Sequence, residues 1–466
     1  MIKSRQNDYF DFRVKYPEFV YHGYELSESD DKLVMDFHFE ITGLSEFRPH
    51  WEIDKLATDS CVDVEDKRLD ELAFSLGMVE LVSYWKITCS PNVKITCGAL
   101  SAQQAQWWKK LYSKGLGEFF YVNDINADYN DFINIINSNN VIKDIFSNKN
   151  TIDNNKVLIP IGGGKDSAVT LELLKDYTDR YCYIINPRKA TTDTITASGI
   201  AADKVIIATR SLDKNMLDLN KQGFLNGHTP FSALVAFSSI IAAYINSIGF
   251  VALSNESSAN ESTVLGSDVN HQYSKSVKFE TDFIEYEAKY ISSGVKYFSL
   301  LRPMTELGIA RLFSKMKQYH AIFRSCNVGS KDDVWCAACS KCLFVYIILA
   351  PFLSEDEMIY IFGHNMLNDE AMIPTFEQLV GVTPEKPFEC VGSRDEVNAA
   401  VQELIRQYEA RSQVLPKLPE YYKGLNITES YDLTEICYKY NNENHIPDSF
   451  ISSIRNALSQ DIADGK

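Results

Sequence analysis

Short apolar runs alternate with amphipathic, helix-compatible segments through the middle of the chain, from about residue 150 to residue 350. The runs that suit buried strands are residues 157–161, 182–185, 204–208 and 250–253. Alternation of this kind is typical of a doubly wound α/β domain with a mostly parallel sheet. Polar segments follow the first, second and last of these runs. Because such sheets bind ligands beyond the carboxyl ends of their strands, we expect the functional site there.

The regions on either side have different patterns. Residues 33–41 alternate apolar and polar positions like a half-buried strand, which predicts an N-terminal α+β domain over 1–148, a candidate substrate-binding domain. Its aromatic residues either belong to the core or line a substrate cleft. A middle α/β domain over 149–354 and a helical C-terminal region over 355–466 complete the predicted division. Residues 137–155, rich in Asn, Asp and Lys, are interpreted as a linker or a lid.

The longest apolar stretch, residues 231–253, has polar residues within it. We interpret it as a buried helix, a break at Gly249 and then a strand, and not as a membrane span. A second apolar run, residues 343–353, is too short to cross a bilayer. The first residues of the chain have no apolar segment typical of a signal peptide. The pattern therefore predicts a cytoplasmic protein without membrane insertion.

A glycine-rich segment follows the first apolar run, and residues 161–167 read Ile-Gly-Gly-Gly-Lys-Asp-Ser. Glycines let the backbone approach a phosphate closely, and a helix N-terminus offers free N–H groups and the positive end of a dipole. Ser167 is suited to cap a helix over 168–176. The segment is not a Walker-type P-loop, since its lysine is followed by aspartate. A turn without a ligand is the alternative to a phosphate site built from Gly162, Gly163, Gly164, Lys165, Asp166 and Ser167.

The ten cysteines of the chain are unevenly spaced. Residues 326–342 contain four of them, Cys326, Cys336, Cys339 and Cys342. Four thiolates at this spacing suit a tetrahedral Zn²⁺ site, and the zinc would be structural because no coordination position stays open. An iron–sulfur cluster and four reduced thiols are the alternatives. The other six cysteines are interpreted as reduced thiols, as expected in cytoplasm.

Four polar residues near the predicted strand ends are candidate catalytic groups. His228 could titrate near neutral pH and transfer a proton. His271 and Lys275 are four residues apart and would share a face if helical. Glu256 follows a strand, where a carboxylate can hold Mg²⁺ or act as a base. Each of the four also fits a solvated or purely structural role. Arg302 is a candidate anchor for phosphate or carboxylate, or one half of a surface ion pair.

The charge balance bears on the class of partner. With 46 Lys and Arg against 63 Asp and Glu, the chain has a formal net charge of −17. A surface this negative repels nucleic acid unless a local basic patch overrides it. We therefore expect a small-molecule substrate and no nucleic-acid partner. The 466 residues are enough for the three predicted regions.

The glycine-rich segment resembles the S-G-G-x-D-S signature of the ATP pyrophosphatases, the PP-loop family, with Gly162 where that family usually has serine. The wider order of motifs, over about residues 70 to 400, resembles the MurL family of UDP-N-acetylmuramoyl-L-alanyl-L-glutamate epimerases. The segments that carry this second resemblance begin at Ile161, Asn226, Leu253, Val269, Trp335 and Lys386.

The resemblance implies a PP-loop fold, similar to the adenine nucleotide alpha hydrolases, and a role in peptidoglycan precursor synthesis in the cytoplasm. Such an enzyme would use ATP and Mg²⁺. It would convert the terminal L-glutamate of a UDP-muramoyl dipeptide to D-glutamate while ATP and water give AMP and diphosphate. Functional coupling to cell-wall ligases is expected, and a similar cysteine cluster in some PP-loop enzymes favours zinc. No catalytic set comes with the resemblance, so the four candidate residues named above remain hypotheses.

An adenylated carboxylate is a chemically reasonable intermediate for this reaction. The α-proton of a peptide-terminal glutamate lies beside a carboxylate, whose charge makes that proton very weakly acidic, and joining AMP to the carboxylate removes the charge. Two other functions fit the same loop. One is an adenylating synthetase or thiolase acting on a nucleobase, tRNA or a deazaguanine acid. The other is a nucleotide-binding protein without enzymatic activity.

Overall fold

The computed structural model describes residues 4–29, 31–56, 62–137, 152–177, 179–425 and 427–463, with side chains as far as residue 459. The interpretation of residues 137–155 as a linker or lid falls mostly on 138–151, which lie outside the described residues. The predicted boundary between residues 148 and 149 lies there too.

The strands of the described ranges form one large sheet. They are β1 Glu18–Ser29, β2 Lys32–Ile41, β3 Ser45–Phe47, β4 His50–Asp54, β5 Asn92–Ile95, β6 Asn134–Asn137, β7 Asp153–Pro160, β8 Asp179–Ile185, β9 Val205–Ser211, β10 Ile248–Leu253 and β11 Lys296–Ser299. Their order is β11-β10-β7-β8-β9-β4-β2-β1-β5-β6, and β3 pairs with β2. Neighbours from β11 to β9 are parallel, as are β1, β5 and β6. The pairings around β2 and β4 are antiparallel. The prediction of a large, mostly parallel sheet is confirmed.

Helices connect the strands and make up most of the C-terminal part. They are α1 Gln6–Lys15, α2 Lys67–Trp85, α3 Ala102–Gly115, α4 Gly117–Val122, α5 Lys165–Leu173, α6 Lys189–Ser198, α7 Lys214–Lys221, α8 Phe231–Ile245, α9 Val277–Tyr286, α10 Glu306–Ser314, α11 Lys317–His320, α12 Ser340–Leu349, α13 Glu355–Phe362, α14 Ile373–Val380, α15 Arg394–Ala410, α16 Lys417–Lys423, α17 Leu433–Tyr438 and α18 Asp448–Ala463. The prediction of a helical C-terminal region is confirmed. Within the described ranges, no helix is both long enough and apolar enough to cross a membrane.

Alternate residues of the parallel strands enter two separate hydrophobic cores. On β7, Leu158 belongs to a core shared with α2 and α8. Its neighbours Val157 and Ile159 belong to a second core shared with α5, α10, α12 and the C-terminal helices. Because consecutive strand residues point to opposite faces, helices cover this part of the sheet on both sides. Strands buried on both faces also explain why their sequences read as continuous apolar runs.

The turn between α8 and β10 does not lie where the sequence predicted it. Gly249 lies inside β10, and Ser247, with a φ of +55°, makes the turn instead. A Cβ on Gly249 would lie 2.7 Å from the Asp153 carbonyl oxygen. This glycine is therefore needed for the close approach of β10 to β7, and the prediction of a break there is wrong.

The N-terminal strands continue the sheet of the middle region. Strand β4 pairs antiparallel with β9, from His50 opposite Ser211 to Ile53 opposite Ala208. Beside this junction, the Arg210 guanidinium on β9 donates to the Glu80 carboxylate on α2 at 2.9 and 2.7 Å. The Arg210 and Glu80 side chains are 11% and 0% exposed. The division into three domains stays a prediction, while the sheet and this buried ion pair join the first two of them.

Replacing Glu80 with Gln should destabilise the protein by about 3 kcal/mol, because an Arg210 guanidinium buried without its counter-ion is strongly unfavourable. Urea unfolding followed by circular dichroism measures the change. The control is Asp218→Asn, which removes an ion pair with Lys221 whose side chains are 60% and 77% exposed and should leave the midpoint nearly unchanged. Equal midpoints for the two variants would contradict a structural role for the buried pair.

Candidate active site

The site lies at the carboxyl ends of β7 and β10, which are parallel neighbours. The glycine-rich segment follows β7, and Glu256 follows β10. Two further segments reach this edge from the C-terminal half of the chain. The Arg324 N–H donates to the Gly163 carbonyl oxygen at 2.8 Å, and the Lys341 ammonium donates to the Cys390 carbonyl oxygen.

The glycine-rich segment is a tight turn that leads directly into α5. Gly163 has a φ of +80°, and a Cβ there would lie 3.0 Å from the carbonyl carbon of Ala190, so both conformation and space require glycine. The helix begins at Lys165 with Gly164 as its N-cap, and the prediction that Ser167 caps it is therefore wrong. The Ser167 hydroxyl lies within the first turn and donates to the Gly164 carbonyl oxygen at 3.0 Å. The first N–H groups of α5 have no partner within the helix and can serve an anion.

Lys165 is buried at the start of α5 between two carboxylates. Its ammonium donates to Asp166 and to Glu306, and the Lys165 and Glu306 side chains are 3% and 2% exposed. Burial opposes the charge on Lys165, but the two carboxylates outweigh burial and raise the pKa of this lysine. Burial dominates at Glu306 and raises its pKa to about 8. Burial acts in the same direction on Asp166, but the nearby Lys165 and Lys341 cations reverse it and lower the pKa of Asp166. Glu306 is therefore the carboxyl that can take up a proton near neutral pH.

Three ammonium groups from three different elements act on Asp166. Besides Lys165, they are Lys341 in the first turn of α12 and Lys275 at the end of a 3-10 turn, Tyr273–Lys275. His271 and Lys275 do not share an α-helix, so the predicted helical spacing is not how they come together. The site therefore gathers cations from separate parts of the chain around one carboxylate.

Arg302 is fully buried and holds the polar segments around the site. Its guanidinium donates to the Glu280 carboxylate at 2.9 and 3.2 Å and to the Glu256 carbonyl oxygen at 2.5 Å. It also donates to the carbonyl oxygen of Lys275. Arg302 does hold a carboxylate, but that of the internal Glu280, and the expectation of a surface pair is wrong because both side chains are buried. Arg302 instead fixes the backbone of two candidate catalytic residues.

Glu118 brings the two candidate histidines together. Its carboxylate lies 2.5 Å from His271 Nδ1 and 3.6 Å from His228 Nδ1, and the two imidazole centroids are 4.4 Å apart. Burial, followed by the charge of His271, lowers the pKa of His228 to about 4, so His228 does not titrate near neutrality as expected. Burial also disfavours charge on His271, but its contacts with Cys390 and Glu118 raise its pKa to about 9. The two rings are thus held in opposite protonation states at neutral pH, as acid–base pairs often are.

Sequence reasoning missed Cys390 and Glu118. The Cys390 thiol interacts electrostatically with His271 and Lys275. Burial disfavours its thiolate, yet the cations Lys275, His271 and Lys341 lower its pKa to about 6. Neither residue has a spacing signal, because their partners are far away in the sequence. Glu118 could have been found as an acid within an aromatic segment, and Cys390 as a cysteine within the motif that begins at Lys386.

The four clustered cysteines come together beside the glycine-rich segment. Their Sγ atoms lie 3.8 Å apart for Cys326 and Cys339, 3.7 Å for Cys336 and Cys342, and 3.4 Å for Cys339 and Cys342. A tetrahedral zinc with Zn–S bonds of about 2.3 Å needs S···S separations of about 3.8 Å. The donor set suits both zinc and an iron–sulfur cluster. The spacing, with all four sulfurs within 4.8 Å of one another, fits a single tetrahedral ion such as zinc.

Taken together, the predicted residues occupy one connected region. The glycine-rich segment with Lys165 and Asp166 forms one side, and Lys275 acts both on Asp166 and on His228 of the histidine pair. Glu256 is 3% exposed, and its charge acts on Lys275 and Glu306. Such a region can bind an anion at a helix N-terminus and transfer protons a short distance away.

An NMR titration of the imidazoles should separate the two histidines. We expect a midpoint near pH 9 for His271 and near pH 4 for His228. The pKa of folded His271 lies above its ordinary value, so the stabilisation from its contacts is complete below about pH 6.5 and is lost as the pH rises through 9. Glu118→Gln removes one of these contacts and should lower the His271 midpoint. A midpoint that does not respond to this substitution would contradict the assignment.

Two protein-family models match the parts of the chain that contain almost the whole site. Residues 11–300 match the MurL N-terminal domain, and residues 322–425 match the MurL C-terminal domain. The first range contains the glycine-rich segment and both histidines, and the second contains the four clustered cysteines and Cys390. No solved structure matches the chain.

Three relatives are named UDP-N-acetyl-alpha-D-muramoyl-L-alanyl-L-glutamate epimerase. The relative from Micromonospora sp. is 35% identical over 341 residues, which cover 71% of this chain and 74% of the relative. The relative from Salinispora tropica is 34% identical over 73% of this chain and 75% of its own length. The relative from Xanthomonas oryzae pv. oryzae is 32% identical, with 73% and 76% covered. The chain therefore belongs to the MurL family of epimerases.

Proposed function

We propose that the chain is an ATP-dependent isomerase that inverts the terminal L-glutamate of UDP-N-acetylmuramoyl-L-alanyl-L-glutamate to D-glutamate. ATP and water would give AMP and diphosphate through an acyl adenylate. The observation that carries the proposal is the placement of an anion-binding helix N-terminus beside a buried group of proton-transfer residues. The names of the relatives support the choice of substrate.

Adenylation explains why a nucleotide site is needed for a simple inversion. Positioned acids and bases contribute about 10²–10⁴ in rate, which is too little for a carbon next to a carboxylate anion. Each pKa unit by which the carbon acid is made stronger lowers the free energy of deprotonation by about 1.4 kcal/mol. In an acyl adenylate the carboxylate charge next to the α-carbon is gone, and the α-proton is therefore far more acidic. Its hydrolysis afterwards makes the sequence irreversible.

The phosphates of ATP are proposed to bind at the start of α5. The groups that would hold them are Gly162, Gly163, Gly164, Lys165, Asp166 and Ser167. The backbone N–H groups and Lys165 would contact phosphate oxygens, and the Asp166 carboxylate would hold Mg²⁺ bound to the leaving diphosphate. Binding requires the Lys165 ammonium to exchange one of its carboxylate partners for phosphate. Glu306 is the partner to release, because it can be neutralised by a proton.

The four candidate catalytic residues are proposed to have different roles. Lys275 stays charged, since the thiol and carboxylates around it outweigh burial and raise its pKa, and so it suits an anchor for a carboxylate or phosphate oxygen. Neutral His228 can accept a proton, and protonated His271 can hold a nearby anion, so both suit the proton-transfer part of the site. Glu256 balances the charge of Lys275. A cytoplasmic location, functional coupling to cell-wall ligases and a substrate-binding role for residues 1–148 are further parts of the proposal.

A structural zinc is proposed at the four clustered cysteines. Lys341 lies between two of them in sequence, and Arg324 precedes them on the segment that contacts Gly163. The ion would hold both residues against the site without taking part in the reaction. Its four sulfur ligands leave no position for substrate.

Asp166→Asn should lower diphosphate release by at least about 100-fold, because the magnesium and the neighbouring lysines lose their carboxylate. The assay measures diphosphate released from ATP with and without UDP-muramoyl-L-alanyl-L-glutamate, alongside deuterium uptake from D₂O at the glutamate α-carbon. The control is Asp176→Asn, an exposed position just after the same helix, which should keep wild-type rates. Diphosphate release without α-deuteration in the wild type would indicate a synthetase instead of an epimerase.

The purified protein should contain one zinc per chain by elemental mass spectrometry, and Cys339→Ser should lose it. Because the ion holds the segment that contacts the glycine-rich turn, loss of zinc should also weaken ATP binding by about 10-fold or more. Cys97→Ser, at a partly exposed cysteine outside the cluster, is the control and should keep both properties. Stoichiometric iron with bound sulfide would identify an iron–sulfur cluster in place of zinc.

A further inference from the structure

Cys390 lies where three parts of the site meet. Its carbonyl oxygen accepts from the Lys341 ammonium on α12. The next carbonyl oxygen, of Val391, accepts from Gln272 Nε2 at 3.0 Å, and this ties the segment to the residue after His271. The backbone around Cys390 is therefore fixed from two directions. This places its thiol among charged groups that include His271 and Lys275.

The charged groups that act most strongly on the thiol are cations. His271 and Lys275 face it from the segment before α9, and Lys341 faces it from α12. Glu389, its neighbour in sequence, and Glu118, behind His271, are the nearby acids. The cations outweigh burial, and the pKa of Cys390 falls to about 6. A thiolate beside an imidazolium is the form in which cysteine acts as a base or nucleophile.

We propose that Cys390 is a catalytic residue of the epimerase, and that its thiolate takes the α-proton of the terminal glutamate on one face of that carbon. This inference rests on the proposed function, since only an activated glutamate gives up this proton. His271 and Lys275 are positioning residues in this scheme: they hold the sulfur as an anion and direct it.

The step balances without a redox partner. The Cα–H bond breaks, and its proton forms an S–H bond with Cys390. The electron pair moves to the carbonyl oxygen of the acyl adenylate, which becomes an enolate. A proton derived from water then adds to the opposite face of the α-carbon, and the thiol returns its proton to solvent. Water finally cleaves the acyl–AMP bond and releases AMP and the inverted carboxylate.

The experiment compares Cys390→Ala with Cys97→Ala, a control at another partly exposed cysteine that is not among the site residues. Each variant is incubated with ATP, Mg²⁺ and UDP-muramoyl-L-alanyl-L-glutamate in D₂O. Diphosphate release, α-deuteration and the L to D ratio are measured together. We expect Cys390→Ala to release diphosphate within about threefold of the control and to lose α-deuteration by about 100-fold or more. This variant would return the substrate with its L-glutamate unchanged while still converting ATP to AMP and diphosphate.

Two other outcomes would overturn the proposal for Cys390, and a third would refute the proposed function. Deuteration within about threefold of the control overturns the proposal, because a catalytic base contributes more than that. Equal loss of deuteration and diphosphate release also overturns it, since it would place Cys390 in the binding of ATP or substrate. Failure of the wild type to release diphosphate with this substrate would instead refute the proposed function, and the two failures are thereby distinguished.

A measurement on the wild-type protein covers the case in which Cys390→Ala does not fold. Alkylation by iodoacetamide is followed by mass spectrometry of the peptide that contains Cys390. We expect a half-maximal rate near pH 6, protection by substrate with ATP, and a higher midpoint in His271→Gln. A midpoint above about pH 8, the range of an ordinary thiol, would overturn the proposal. So would a thiol that does not react at any pH, because a substrate carbon could not reach it.

Discussion

The arrangement of the site depends on one buried guanidinium. Arg302 is fully enclosed, and a charge so placed is tolerated only with a counter-ion and a full set of acceptors. Glu280 supplies the counter-ion, and its other oxygen accepts from the Ser299 N–H at 2.9 Å, at the end of β11. The remaining guanidinium donors take the backbone oxygens of Glu256 and Lys275. Two polar segments that follow different elements are thereby locked to the edge of the sheet, and their side chains become part of one site.

The C-terminal half of the chain completes the site through similar polar contacts. The Glu306 N–H donates to the Glu396 carboxylate at 2.6 Å, so the start of α10 is tied to α15. Lys341, within the cysteine cluster in sequence, contacts the backbone of Cys390, and Arg324, just before the cluster, contacts the backbone of Gly163. The residues between them, 325–340, include turns with few apolar side chains, which cannot order this segment by burial alone. A metal held by four thiolates would supply the missing order, which is why the zinc and ATP proposals are linked.

The sequence predicts most reliably the features that local chemistry determines. The strands β7, β8 and β10 are buried on both faces, so each appears as a continuous apolar run. Gly249 was misplaced because a glycine that ends an element and a glycine that admits a neighbouring strand look the same in sequence. Position 249 requires glycine because the Asp153 backbone lies against it, and this contact exists only once β10 has paired with β7.

The same difference between local and long-range features decides which residues of the candidate site could be predicted. The glycine-rich segment is local, and its residues stand together in the structure. The contacts of His271 with Glu118 and Cys390 join positions separated by more than a hundred residues, and no periodicity records them. Sequence reasoning therefore found the histidine and missed the two groups that set its charge. It also assigned His228 a titration near neutrality, since the burial that lowers its pKa is a property of the folded chain.

The contrast between local and total charge bears on the choice of substrate. A nucleic acid extends over tens of ångströms and meets the field of a whole surface, which here carries a net charge of −17. A small anion within the site meets charges closer than the screening length of about 8 Å at physiological salt. At that distance it meets Lys165, Lys275 and Lys341, and burial of Glu306 allows one opposing carboxylate to be neutralised. A chain with a large net negative charge can therefore still present cations to a small anion, as the proposed adenylation of a small precursor requires.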